Sequence, residues 1–221
     1  MDHQGVLRER LVDVGVDLVK TEGPGALGLR EIARRAGVSH GAPRRHFPTH
    51  HSLLSAIARR GFEELKGRFT EAAGTSASAR GQLEAIGRAY VGYALEYRGM
   101  FELMWRHDLL DSAGLEPEGP GLRTATLPLF EAVIDLVGRC RTEQDDIRRS
   151  QLPGDAVTAA ALWTNLHGIA QLWTWGSLQL ALDALVAPPA DVPPSDGAPD
   201  RTALDRLVSA ALDAHLGPAG A

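Results

Sequence analysis

Apolar residues recur along most of this chain at steps of three and four, the spacing of a helix buried along one face. Leu7, Leu11, Val14 and Leu18 form the first such stripe, and Glu22-Gly23-Pro24-Gly25 ends it. Leu29, Ile32 and Ala33 begin a second, short helix, and Gly37 can take the left-handed conformation that closes it. Ser39 is a good N-cap for a third helix over residues 40–47, with Pro43 near its first turn and Pro48 at its end. Two short helices joined by a tight glycine turn predict a helix-turn-helix, with the first helix packed across both and covering Ile32, Val38 and Phe47.

The pattern then lengthens. From about His51, a helix carries Leu53, Leu54, Ile57, Phe62, Leu65 and Phe69 until Gly74-Thr75-Ser76 breaks it. A further helix is expected over 79–98, bearing Leu83, Ile86, Tyr90, Tyr93 and Tyr97, and a short one over 100–110. Residues 112–121 hold Pro117 and Pro120 and read as a loop, as does the polar stretch around Asp145 and Asp146. Between them, 122–140 is helical, with Pro128 a kink or a late start. One long helix is expected over about 155–186, and a last amphipathic one over 202–216. Residues 187–200, APPADVPPSDGAPD, read as a flexible linker. No period-two alternation occurs, so the fold class is all-α: a three-helix helix-turn-helix module over 1–50, then a helical-bundle domain over 51–221.

Composition refines this only in places. The chain has 221 residues, 44% of them apolar and 23% charged, ordinary values for a globular protein. Its net charge of −5 is unevenly spread: residues 1–60 hold ten Lys/Arg against six Asp/Glu, and the remainder thirteen against twenty-two. A basic module on an acidic body suits a protein of which one end meets phosphate. Cys140 is the single cysteine, so no intrachain disulfide can form, and the charged start lacks a signal-peptide core; a cytoplasmic location is expected. Residues 156–182 carry no charge, but polar groups interrupt them about once per turn, as in a helix buried inside a protein rather than in a membrane.

The run LREIARRAGVSHGAPRRHF, followed by Leu53-Leu54, resembles the DNA-binding signature of the TetR family of bacterial transcriptional regulators, over about the first quarter of the chain. The resemblance implies that the second helix of the motif enters the major groove of a double-stranded DNA operator. Arg30, Arg44 and His50 would then rest on phosphates, and Ser39, His40, Gly41, Ala42 and His46 would face the groove. Arg44 stands where the family usually has Tyr, and His50 where it usually has Lys. Arg44 keeps the capacity to bind phosphate, whereas a histidine is only partly charged near neutral pH.

The segment from Trp163 through His167-Gly168 to Trp173 resembles a C-terminal domain of one TetR subgroup, marked by a Trp…His-Gly signature. That resemblance implies a homodimer held by the last two long helices, with Gly168, Leu172, Gly176, Leu207 and Ala211 at the interface. Leu162, Leu166, Ile169 and Trp173 would serve the intrachain core. It also implies a pocket for a largely apolar small-molecule effector. The residues available to line it are Tyr93, Tyr97, Phe101, Met104, Trp105, Phe130, Trp163 and His167, although an aromatic or Met at helical spacing is more often core.

Enzymatic readings find little support. The chain has no Gly-rich phosphate loop and no G-x-S-x-G elbow, and Pro48 separates His46 from His50 and His51, so no metal face forms; no cofactor is expected. The function expected is that of a ligand-responsive repressor that leaves a near-palindromic operator when its effector binds. A helical carrier or enzyme that has lost DNA binding, or a docking protein, are the alternatives.

Overall fold

The computed structural model describes residues 3–106, 110, 122–143, 153–185 and 201–218, and every regular element in them is helical. In chain order these are α1 (His3–Glu22), α2 (Leu29–Arg35), α3 (Ala42–His46), α4 (His50–Ala73), α5 (Ala79–Glu96), α6 (Arg98–Trp105), α7 (Leu122–Glu143), α8 (Asp155–Thr174), α9 (Ser177–Leu185) and α10 (Arg201–Leu216), with a single 3₁₀ turn at Pro24–Ala26. The expected loops at 112–121 and 145–146 and the linker at 187–200 lie outside the described residues. Packing divides the chain into two compact units, Met1–Gly67 with Glu96–Leu129, and Arg68–Leu95 with Phe130–Ala221.

The first unit is built on α1. Its buried positions are Leu11, Val12, Leu18 and Val19, while Leu7 and Val14 of the expected stripe are only half-buried. Glycines let neighbouring helices come close. A Cβ on Gly15 would collide with Ile57 of α4, and one on Gly61 would stand 2.6 Å from the Met104 sulfur of α6. A Cβ on Gly99, near the start of α6, would strike the Val19 carbonyl and lie 2.9 Å from Gly23 Cα. The short helix α6 therefore packs directly on α1 and α4, within the same unit as the helix-turn-helix.

The second unit gathers α5, α7, α8 and α10 around Leu83, Ile86, Val137, Leu162, Leu166, Val208 and Leu212. Gly87 of α5 brings that helix against Leu166 and Val208. At the other end Arg141, buried on α7, reaches the Pro153 carbonyl (2.8 Å), Asp155 (2.6 Å) and the Thr158 hydroxyl (2.6 Å), and so ties α7 to the first turn of α8. Pro128 neither starts nor ends α7, which runs through it.

Two expectations are corrected. The single helix over about 155–186 is two, because Gly176 sits at φ 79 and ends α8, and its N–H bonds the Trp173 carbonyl (3.0 Å). Gly176 is therefore a helix breaker and not a small residue within a helix interface. Within the single chain, Val157, Leu172, Trp175 and Leu180 of the uncharged stretch are exposed. Among the described residues, no helix is long and apolar enough to cross a membrane.

Candidate nucleic-acid interface

The turn between α2 and α3 has the geometry its sequence predicts. Gly37 takes φ 67, and two reverse bonds close α2: Val38 N–H to the Ala33 carbonyl (3.0 Å) and Gly37 N–H to that of Arg34 (3.1 Å). This is a Schellman closure, in which the residue after the cap must be left-handed. Ile32, Ala33 and Ala36 are buried beneath it. On the far side the chain makes one 3₁₀ step, with Ala42 N–H on the Ser39 carbonyl at 2.9 Å, before α3 begins. Ser39 is therefore not the N-cap expected of it. Gly41 holds that position without any side-chain bond, and α3 is two residues shorter at its start.

Pro43 and Phe47 anchor α3. Pro43 is buried in its first turn, where no N–H is needed, and Phe47 is 2% exposed just past its end, with the Arg8 guanidinium 5.0 Å above its ring. That anchoring turns the other side of α3 outward. Ser39, His40, Gly41, Arg44 and Arg45 are exposed, and Ala42 and His46 are half-exposed. None of these residues is buried.

The arginines of this unit fall into two sets. Arg34 and Arg35 bind Glu31 (2.6 and 2.7 Å), and Arg35 also binds Glu22 (2.6 Å). Hydrogen bonds from Arg34 and then Arg35 hold the Glu31 carboxyl down to about 2. Their charge is thus largely answered within the protein. Arg30, Arg44 and Arg45 are exposed and have no ion-pair partner among the described residues. Arg45, which is not among the DNA contacts expected from the sequence, is exposed on α3 as Arg44 is.

His50 departs from the role expected of it. Its Nε2–H donates to the Leu27 carbonyl at 2.6 Å, which leaves a neutral ring only an acceptor at Nδ1. It joins the start of α4 to the segment before α2. Just before α4, Thr49 and Ser52 cap one another: Ser52 N–H bonds the Thr49 hydroxyl (3.0 Å), and Thr49 N–H bonds that of Ser52 (3.3 Å). The backbone N–H groups of this capped helix start remain, with its positive dipole end, as an anion-facing feature.

The effector candidates fall into two groups. Tyr97, Phe101, Met104 and Trp105 belong to the first unit. Phe101 and Met104 are fully buried, whereas Tyr97 and Trp105 are half-buried, with Trp105 edge-on to Phe62 at 5.2 Å and Lys20 4.0 Å over Tyr97. Tyr93, Phe130, Trp163 and His167 belong to the second unit. Tyr93 is fully buried beneath Arg68, whereas Phe130, Trp163 and His167 are half-exposed.

Tyr90, in the sequence only one member of the α5 stripe, organises this second group. Its hydroxyl accepts from the Trp163 indole N–H and shares a hydrogen bond with His167 Nδ1 at 2.8 Å. Burial drives the Tyr90 phenol above its ordinary range and His167 below its own. Both are therefore neutral near pH 7. A separate surface depression of 390 Å³ between α7 and the start of α8 is lined by Ile134, Asp135, Arg139 and Glu143, and by none of these aromatics.

Among the expected dimer residues, Leu172 is exposed and Gly168 faces open space. Leu207 is half-buried. Ala211 is 5% exposed.

A glycine-closed pair of short helices with an exposed basic second helix is a helix-turn-helix. Residues 11–57 match the model of the bacterial regulatory proteins of the tetR family, and residues 83–191 that of the tetracyclin repressor-like C-terminal domain. The chain belongs to the TetR family. An uncharacterised HTH-type transcriptional regulator in the dhlA 5′ region of Xanthobacter autotrophicus is 32% identical over 99 residues, which are 44% of this chain. The match spans about half, 49%, of that relative's length. A Rhodococcus sp. RHA1 protein of unknown function is 29% identical, with a TM-score of 0.68 over 97% of this chain and 95% of that one. The TetR family transcriptional regulator PfmR from Thermus thermophilus shares the fold at 18% identity, with a TM-score of 0.57 over 96% of this chain and 100% of that one.

Proposed function

We propose that the protein is a homodimeric repressor that binds a near-palindromic operator through two copies of α3 and leaves it when a largely apolar small molecule enters the domain after residue 50. The observation that carries this reading is the outer side of α3, where Arg44 and Arg45 are exposed, without ion-pair partners among the described residues, beside small residues that admit a groove wall. Residues 1–50 would read DNA, and residues 51–221 would dimerise and sense the effector. Ligand and operator would then be coupled, because only one spacing of the two recognition helices fits both half-sites.

The support for dimerisation is an apolar stripe on α8. Val157, Ala161, Thr164, Gly168, Leu172 and Trp175 follow one another at steps of four, three, four, four and three, and all are exposed or half-exposed. Trp175 is 60% exposed and Leu180 on α9 is 74% exposed, an unusual amount of large apolar surface to leave in water.

Leu172→Glu tests this part of the reading. It places a charge on the stripe without touching the buried positions Leu166, Ala170 and Trp173. Sedimentation velocity is expected to show a dimer for the parent chain and a monomer for the variant, whose affinity for a full operator falls to that for one half-site. A variant that stays dimeric would place the interface elsewhere.

A further inference from the structure

We propose that Arg10, on α1, is a phosphate-binding residue that extends the DNA interface beyond the helix-turn-helix. This rests on the reading that α3 faces DNA. Arg10 is exposed, and its Nη2 lies 3.6 Å from where a Cβ on Gly37 would stand. The guanidinium therefore lies over the turn that leads into Ser39 and His40. Gly37 has no side chain, so nothing at that position comes between the guanidinium and the backbone of the turn.

Its neighbours on the same helix and across from it are differently placed. Arg8 pairs with Glu9 at 3.3 Å and stacks on Phe47. Arg60 pairs with Glu9 and lies 3.6 Å from Asp13. Arg34 and Arg35 are held by Glu31 and Glu22. Arg10 has no ion-pair partner among the described residues, although acidic groups stand on its own helix. A cation that pairs internally must break that pair to meet phosphate. An unpaired one carries only its counterions, and their release favours binding. The planar fork of Arg also suits a phosphate in two-point contact.

The test is operator binding by the full chain, followed by fluorescence anisotropy over a range of salt concentrations, for the parent, Arg10→Ala, Arg10→Lys and Arg8→Ala. Each phosphate contact contributes about 0.9 to the slope of log K against log salt, so a dimer that loses two should show a slope shallower by about two. Arg10→Ala is expected to bind on the order of ten- to a hundredfold more weakly at about 0.1 M salt. The loss should be equal on a scrambled duplex, because phosphate carries no sequence information. Arg10→Lys should restore most of the slope, and Arg8→Ala should leave it near the parent value.

An unchanged slope in Arg10→Ala, with the parent still binding its operator, overturns the proposal and leaves the α3 reading intact. A loss confined to the operator, with the scrambled duplex unaffected, overturns it too, since that is a base contact. If the parent binds no duplex, both readings fall together.

Discussion

A chain in which Arg44 and Arg45 are both replaced by alanine is expected to fold normally and lose operator binding almost completely. Both side chains are exposed on α3 and pair with nothing among the described residues, so their removal leaves no buried group unsatisfied. If each reaches a phosphate, a dimer loses four contacts, and the salt slope falls by roughly 3.6. At about 0.1 M salt that is a loss of roughly a thousandfold or more. Arg34→Ala should act differently, because its guanidinium is occupied by Glu31 and contributes less net charge toward DNA. Binding isotherms at several salt concentrations, with a thermal unfolding curve for each variant, separate the two cases. An unchanged slope in the double variant would mean that α3 does not meet the backbone.

The second large effect concerns folding. Gly99→Ala would drive a methyl group into the Val19 carbonyl and to within 2.9 Å of Gly23 Cα, both of them backbone. A rotating side chain could yield to such a contact, but here α6 must back away from α1. Overpacking of this kind costs about 1–3 kcal/mol, and rigid neighbours on two sides put this site at the upper end. For a chain of this size that lowers the thermal midpoint by about 6–12 °C. Gly92→Ala is the matched control, because a Cβ there meets nothing within 4 Å. In the middle of α5 it should raise stability by roughly 0.5–1 kcal/mol through helix propensity. Two glycine-to-alanine changes of opposite sign, read by the same melting experiment, test the packing directly.

The local features of this protein are legible in its sequence, and the non-local ones are not. Gly37 announces the left-handed closure of α2 because few other residues tolerate that conformation. Phe62, Leu65 and Phe69 announce the buried side of α4 by their steps of three and four. The break at Gly176 is ambiguous in sequence, because a glycine within an apolar run serves equally as a small contact or as a stop. The role of Tyr90 depends on two side chains more than seventy residues further on. The Nε2–H of His50 is taken up by the carbonyl of Leu27, and the Arg10 guanidinium lies over Gly37. No periodicity in the sequence encodes such meetings, since they arise only when helices cross. The same holds for α6: its spacing marks an apolar helix, while only Gly61 and Gly99 at the contacts show that it packs on α1 and α4.

Selection from random-sequence DNA duplexes by the purified protein, at near-physiological and at raised salt, tests the regulator reading most directly. The account predicts enrichment of a near-palindrome with half-sites one helical turn or a multiple apart, bound by a dimer and weakened steeply by salt. Weak, sequence-blind binding with no enriched half-site would contradict it.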